Sequence, residues 1–236
     1  MTLLAKDVLA RRSDPPGLII FDCDGVLVDS EHIAGRLLAE DISALGWVIT
    51  PEECHHLFLG CSLTDMLPMI AARVAIPPGW TLRVAERMVR ALAEEAEAMP
   101  GAEAALRAVS ALGLPWRVAS NSSHEEMAVK FARTGLADLV AGRLHSAADV
   151  VRKGGRGKPA PDLFLATAAA ASVPPSACVV VEDSLPGARA ARAAGMSCLA
   201  LVPHGEGQAL QAEGAGIFRA LAELPAMLAG ALRVAA

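Results

Sequence analysis

Short apolar runs alternate along the chain with stretches in which apolar residues recur every three or four positions. The runs predict buried strands, because a strand covered on both faces is a near-continuous apolar run, and the stretches between them predict helices. Strands separated by helices indicate parallel βαβ units with right-handed crossovers. The predicted strands span residues 18–21, 116–119, 138–141, 178–181 and 197–202.

One long segment, residues 31–98, carries only the helical pattern and predicts no strand. It ends before Pro100-Gly101, a dipeptide that breaks regular structure. We therefore expect an α/β fold, a doubly wound Rossmann-like parallel sheet of residues 1–30 and 99–236 with an all-helical cap of residues 31–98 inserted after the first strand. The predicted helices span 31–45, 63–74, 81–99, 102–112, 125–134, 161–171, 186–194 and 220–232. Another predicted helix begins at Thr50. Residues 59–62 and 149–161 are predicted loops.

Composition and charge exclude several classes of protein. At 236 residues and 53% hydrophobic content, the chain has enough apolar material for a core of this size. Its net charge of −5 gives no basic surface for nucleic acid or an anionic membrane. The sequence contains neither an apolar run of about 18 residues nor a signal-peptide pattern. Its five cysteines form no C-x-x-C pair, so we expect a cytoplasmic protein with reduced thiols.

Polar side chains follow three of the predicted strands. Asp22 and Asp24 come directly after the first strand, Ser120-Asn121 after the second, and Glu182-Asp183 after the run at 178–181. In isolation, Asp22-Cys23-Asp24-Gly25 is equally typical of a turn. In a parallel sheet, however, the carboxyl ends of the strands meet at one edge, where ligands bind.

The clustered carboxylates indicate a cation. Several carboxylates at one edge repel one another, and an oxygen-only set of ligands suits Mg²⁺. Lys158 precedes a predicted helix in Gly157-Lys158-Pro159 and would reach the same edge. A lysine and a hydroxyl beside a metal form a site for an oxyanion, of which phosphate is the commonest.

Four short motifs together resemble those of the haloacid dehalogenase-like hydrolase superfamily. They are Asp22-Cys23-Asp24-Gly25-Val26, Ser120-Asn121, Lys158-Pro159 and Glu182-Asp183, in the order and spacing of that family. The helical segment resembles the cap of its phosphoglycolate-phosphatase, β-phosphoglucomutase and sugar-phosphate phosphatase branch. The resemblance covers the chain from Leu18 onward and implies a Mg²⁺-dependent phosphatase acting on a small phosphorylated metabolite, as a monomer or homodimer.

The resemblance also implies a role for each carboxylate. Asp22 would be the nucleophile that forms an aspartyl-phosphate, and Asp24 the general acid and then the base. That role requires that the pKa of Asp24 is not held low. Mg²⁺ would be bound by the Asp22 carboxylate, the backbone carbonyl of Asp24 and Asp183, with Glu182 nearby.

The same resemblance implies roles for the motif residues without carboxylates. Lys158 would offset charge between the nucleophile and the phosphate, whose oxygens Ser120 and backbone N–H groups near Asn121 would hold. Asn121 is therefore a predicted substrate-binding residue.

The cap is expected to select the substrate, because it closes over the leaving group. His32, Leu63, Thr64 and Asp65 are the predicted cap contacts. In β-phosphoglucomutase-like members, a cap-loop arginine binds a second phosphate and the first cap helix carries a histidine. The aligned positions here are Leu63 and Ala34, which favours a phosphatase. A phosphosugar mutase and a non-catalytic binding protein remain the alternatives.

Overall fold

The computed structural model describes residues 3–12, 14–58, 60–61 and 63–234, without the side chains of Thr64 and Val234. The strands in this part of the chain are β1 Leu18–Phe21, β2 Val28–Asp29, β3 Glu97–Ala98, β4 Trp116–Ser120, β5 Leu144–Ser146, β6 Cys178–Glu182, β7 Ser197–Leu201 and β8 Gly216–Phe218. The helices are α1 Ala5–Ala10, α2 Glu31–Ser43, α3 Pro51–Phe58, α4 Leu63–Ala71, α5 Trp80–Glu95, α6 Ala102–Ala111, α7 His124–Arg133, α8 Ala137–Val140, α9 Ala147–Val151, α10 Asp162–Ala170, α11 Leu185–Ala193, α12 Gln208–Ala212 and α13 Leu224–Val234.

Six parallel strands form one sheet in the order β5-β4-β1-β6-β7-β8. From β1 the chain proceeds to β4 and β5 on one side and later to β6, β7 and β8 on the other. The strand order therefore reverses beside β1, at the place where open α/β sheets bind their ligands. Phe21, the last residue of β1, pairs with Val118 and Val181, so Asp22 begins the loop at this reversal point.

Alternate residues of the central strands pack into two separate hydrophobic layers. Ile19 and Phe21 belong to one buried cluster, whereas Leu18 and Ile20 belong to the cluster on the other face. All four residues of β1 and all five of β6 are buried. This arrangement confirms the predicted doubly wound α/β fold, since only a sheet covered by helices on both faces buries its strands completely.

Helices α2 to α5 form the helical insert, which has a hydrophobic cluster of its own. That cluster includes Leu38, Ile42, Cys54, Phe58, Ile70, Trp80 and Val84. The two connections to the sheet run side by side, because β2 pairs with β3 in antiparallel orientation. Residues 97–98 are thus a strand in a segment predicted to be wholly helical, and the pairing satisfies backbone groups of both connections.

Short elements account for the other differences from the predicted pattern. Residues 138–141 were predicted as a strand, but α8 occupies this position and the edge strand is β5. A short apolar run fits either state, and the pattern alone cannot separate them. The predicted helix 81–99 ends at Glu95, α13 begins at Leu224, and α9 reaches into the predicted loop 149–161. In the predicted loop 59–62, Leu59 and Ser62 lie outside the described residues.

A search of the described helices finds none with the length and apolar content needed to cross a membrane.

Candidate active site

A buried lysine joins two carboxylates at the carboxyl edge of the sheet. The Nζ atom of Lys158 donates to Asp22 Oδ1 at 2.5 Å and to Glu182 Oε1 at 2.7 Å. Asp22 follows β1, Glu182 ends β6, and Lys158 lies in the loop before α10. All three side chains are nearly inaccessible to solvent. The structure therefore brings together three residues that the sequence predicted to meet there.

Glu182 supports the lysine and the turn that follows β6. Its Oε2 atom accepts hydrogen bonds from the backbone N–H groups of Asp183 and Ser184 and from the Ser184 hydroxyl, each at 2.9 Å. Because Lys158 occupies Oε1, both oxygens of Glu182 already have donors. Glu182 thus fits a structural role beside a cation better than direct coordination.

The Asp183 carboxylate has an oxygen atom that is available to bind a cation. Its Oδ1 atom is buried and lacks a hydrogen-bond partner within the described part of the chain. One ligand atom each from Asp22, Glu182 and Asp183 lie within 4.8 Å of one another. Burial, with the nearby charges of Glu31 and Glu182, raises the pKa of Asp183 well above its usual range. This oxygen-only set of acidic side chains fits a hard divalent cation.

The backbone at Gly25 makes room for Asp183. Gly25 has a φ of +72°, and a Cβ atom there would lie only 1.9 Å from Asp183 Oδ2. Residue 25 therefore has to be glycine for two reasons, the left-handed backbone and the close approach of the Asp183 carboxylate.

Burial also weakens the acidity of the predicted nucleophile. Desolvation raises the pKa of Asp22 to about 7, with the neighbouring charges of Glu182 and Asp24 acting in the same direction and Lys158 opposing them. The pKa of Lys158 is itself raised, because its two carboxylate partners outweigh the cost of burial. A cation beside Asp22 would lower the pKa of its carboxyl group and favour the ionised nucleophile.

The Asp24 carboxylate accepts hydrogen bonds from four side chains. Lys130 Nζ lies 2.6 Å from Oδ1, which also accepts from the Ser30 hydroxyl. The hydroxyls of Ser122 and Ser120 donate to Oδ2 at 2.9 and 3.2 Å. Burial raises the pKa of Asp24, but Lys130 and these hydrogen bonds outweigh it and bring the pKa down to about 2. The condition set for a general acid, a pKa that is not held low, is therefore not met in the free site.

Lys130 is the charged partner of Asp24 that the sequence analysis missed. It lies on α7 with only 1% of its surface exposed, between Met127 and Phe131 on the buried face of the helix. A lysine in the apolar stripe of an amphipathic helix was the one available signal, since lysine is almost never fully buried without a partner. Ser122 was missed as well. The cap of α7 is the next residue, Ser123, whose hydroxyl accepts from Glu126 N–H.

Asn121 holds three loops together through its side-chain amide. Its Nδ2 donates to the backbone oxygens of Gly60 at 2.9 Å and Lys158 at 3.0 Å, and its Oδ1 accepts from Lys158 N–H at 2.9 Å. Because backbone groups occupy both the donor and the acceptor, the predicted contact of this side chain with substrate is not supported. The amide instead links the helical insert at Gly60 to the loop that carries the catalytic-site lysine.

The local environment of His32, Leu63 and Asp65, three of the predicted contacts of the helical insert, can be described. The His32 side chain is 60% exposed and contacts Asp29 Oδ1 at 3.1 Å. Leu63 packs against the hydrophobic cluster of the insert, and Asp65 is exposed in the first turn of α4. The side chain of Thr64 lies outside the described part of the structure. Hydrophobic packing, which the sequence pattern did not resolve, explains the position of Leu63.

Glu31, at the start of the helical insert, interacts with the buried carboxylates through its charge. It begins α2, and burial together with the charges of Asp24 and Asp22 raises its pKa to about 8. His55 Nε2 lies 3.8 Å from its Oε2 atom. Near neutral pH a carboxyl group in this state can donate a hydrogen bond as well as accept one.

This architecture is typical of an α/β enzyme that acts on an anionic group, since the Lys158 ammonium group and a metal-fitting carboxylate flank the buried Asp22 carboxylate at the reversal point of the sheet. Residues 16–195 match the model of the haloacid dehalogenase-like hydrolase family, and the chain belongs to that family. The match confirms the family predicted from the four motifs.

Proteins of similar sequence and structure come from several bacteria. The chain is 32% identical over 185 residues to the 6-phosphogluconate phosphatase of Escherichia coli (strain K12), over 75% of this chain and 79% of that protein. It is 31% identical over 183 residues to hexitol phosphatase A of the same strain, over 77% and 81% of the two chains. A HAD family hydrolase from Deinococcus radiodurans R1, solved with bound phosphate and sodium, has 32% identity and a TM-score of 0.72 over 92% of this chain and 96% of its own.

Proposed function

We propose that this protein is a Mg²⁺-dependent phosphatase that hydrolyses a small sugar or polyol phosphate through an aspartyl-phosphate on Asp22. The observation that carries the proposal is the buried pair of Lys158 and Asp22 beside the partnerless oxygen of Asp183. The names of the relatives support the same reaction class, since two of them are phosphatases of sugar-derived phosphates.

The first step forms a bond between a carboxylate oxygen of Asp22 and the substrate phosphorus. The ester P–O bond breaks as it forms, and the leaving alkoxide takes a proton from Asp24. Because Lys130 holds the pKa of Asp24 at about 2 in the free site, Asp24 has to acquire this proton from the phosphate monoanion as the substrate binds. Lys158 lies 2.5 Å from Asp22 Oδ1 and would hold the nucleophile in place while offsetting the charge of the incoming phosphate.

The second step hydrolyses the aspartyl-phosphate. Asp24, now a carboxylate, takes a proton from water as the water oxygen bonds to phosphorus and the Asp22–phosphorus bond breaks. Inorganic phosphate leaves and both aspartates return to their starting states. Mg²⁺, held by Asp22, Asp183 and the Asp24 carbonyl, would supply charge stabilisation for the transferring phosphoryl group.

Glu31 favours a polyol as the leaving group. It begins α2, in the helical insert, and interacts through its charge with Asp24 and Asp22. Its carboxyl group can accept hydrogen bonds from substrate hydroxyls in either protonation state. We therefore expect hexitol phosphates and sugar phosphates to be better substrates than phosphoglycolate, which has no hydroxyl to contact.

The test is release of phosphate from p-nitrophenyl phosphate and then from a panel of sugar, hexitol and gluconate phosphates. Activity should require Mg²⁺, disappear with a chelator and return when Mg²⁺ is restored. Asp22→Asn should abolish turnover while the circular dichroism spectrum shows an intact fold, whereas Asp138→Asn, a matched change at an exposed site, should have no effect. Absence of metal-dependent release from every ester would refute the proposal, and isomerised product would replace it with a mutase.

A further inference from the structure

The chain contains only four lysines, and two of them are buried at the carboxyl edge of the sheet. One is Lys158, already discussed. The other is Lys130, whose burial is unusual because desolvating an ammonium group costs several kcal/mol unless it is paired and hydrogen-bonded. The burial of Lys130 therefore depends on the groups that pair with its ammonium group.

Lys130 is linked by hydrogen bonds to both oxygens of the Asp24 carboxylate. Its Nζ donates to Oδ1 directly at 2.6 Å and to the Ser122 hydroxyl at 2.8 Å. Ser122 in turn donates to the other oxygen, Oδ2, at 2.9 Å. A direct bond to one oxygen and a bridged bond to the other fix the plane of the carboxylate as well as its position.

Helix packing fixes the lysine in turn. Met127 and Phe131, its neighbours on the buried face of α7, are 0% and 1% exposed and belong to the larger hydrophobic cluster. The Ser123 cap and its reciprocal bond from Ser123 N–H to Glu126 fix the start of the same helix. The ammonium group thus approaches Asp24 from a rigid element.

We propose that Lys130 is a positioning residue of this enzyme, which holds the Asp24 carboxylate in the orientation required for both proton transfers. The inference rests on the proposed phosphatase reaction. The hydrogen bonds of the Lys130 ammonium group go to Asp24 and to Ser122, which itself donates to Asp24, so its effect on the reaction would pass through Asp24. A lysine that merely stabilised the fold would lower stability without a specific effect on proton transfer, and kinetics separate the two roles.

The experiment compares Lys130→Met, Asp24→Asn and the double variant with the wild type, and Lys6→Met serves as the control at an exposed lysine on α1. We expect Lys130→Met to lower kcat about a hundredfold, the low end of the contribution of a general acid-base group, with KM changed less than about threefold. Since Lys130 acts through Asp24, the double variant should be no slower than Asp24→Asn. Lys6→Met should match the wild type.

A pre-steady-state measurement identifies the impaired step. The p-nitrophenolate group leaves without a proton, so Asp22 is still phosphorylated in Lys130→Met, whereas water lacks a correctly placed base. We expect a burst of about one equivalent of p-nitrophenolate, followed by slow turnover. A general loss of structure would reduce the burst itself.

Three outcomes would overturn the inference. They are a Lys130→Met variant with wild-type kcat, a double variant slower than Asp24→Asn by the full Lys130→Met factor, and slow turnover without a burst. If Lys130→Met does not fold, the double variant removes the unpaired charge, and its rate relative to Asp24→Asn decides. An inactive wild type would refute the proposed function itself, whereas an active wild type with an unaffected Lys130→Met refutes only the role of Lys130.

Discussion

Replacing Gly25 by alanine tests the geometry of the candidate metal site. The added Cβ atom would lie 1.9 Å from Asp183 Oδ2 and 2.6 Å from its Cγ atom. An ordinary non-bonded contact is about 3.5 Å, so the carboxylate must retreat by about 1.5 Å. Metal–ligand distances tolerate only about 0.2 Å. Gly25→Ala should therefore remove Asp183 from the set of ligands.

The expected magnitude has two parts. The left-handed backbone at residue 25 costs an alanine about 1–2 kcal/mol of stability. Displacement of the carboxylate should weaken Mg²⁺ binding by at least the roughly 10–100-fold seen when groups that merely orient metal ligands are lost. The first part affects the fold, and the second affects only the response to metal.

Gly195→Ala separates these two parts. Gly195 has a φ of +71°, nearly that of Gly25, but a Cβ atom there would meet no heavy atom within 4 Å. Both variants should lose similar stability in the metal-free state, measured by thermal unfolding in a chelator. Only Gly25→Ala should lose the rise in melting temperature on Mg²⁺ addition and require more Mg²⁺ for half-maximal phosphatase rate. Equal Mg²⁺ responses of the two variants would refute the assignment of Asp183 to the metal.

Three further changes test other parts of the site. Lys158→Met should abolish turnover and destabilise the fold by about 3–5 kcal/mol in denaturant unfolding, since it leaves buried carboxylates unpaired. Asn121→Ala should speed limited proteolysis near Gly60, whose backbone oxygen loses its donor, while Ser172→Ala leaves cleavage unchanged. Because the pKa of Glu31 is raised to about 8 in the folded, metal-free protein, the free energy of unfolding should fall as pH rises from about 4.5 to 8. Glu31→Gln should reduce this fall, measured by unfolding at pH 5 and at pH 8.

The sequence was most informative where local pattern and global topology coincide. Asp22 and Glu182 follow strongly apolar runs, and parallel strands bring such positions to one edge whatever the details of packing. Lys158 could be assigned to the same edge because the family motif supplied its place. The strands β5 and β8 were misplaced or missed, since three residues carry too little periodicity to separate strand from helix.

Contacts that depend on the direction of a side chain could not be predicted. Asn121 belongs to a recognised motif, yet its amide is occupied by backbone groups from two distant loops. Lys130 lies 106 positions from Asp24, and nothing in the sequence relates the two residues. Leu63 was expected to contact the substrate, but it packs against the hydrophobic cluster of the insert. The sequence pattern predicts the helix that carries Leu63 but not which side of that helix faces the sheet.

The charges of the buried site explain why a cation and a phosphate would have to be bound together. Five carboxyl groups, those of Asp22, Asp24, Glu31, Glu182 and Asp183, interact through their charges, and two lysines pair with three of them. The raised pKa values of the others record an acidic surplus that is relieved by protonation when no metal is bound. A phosphate dianion entering this surplus would be repelled, whereas a divalent cation at Asp183 would offset most of the surplus and attract the phosphate directly. Lys130 pairs with Asp24 separately, so the proposed acid-base carboxylate has a partner that does not depend on the metal.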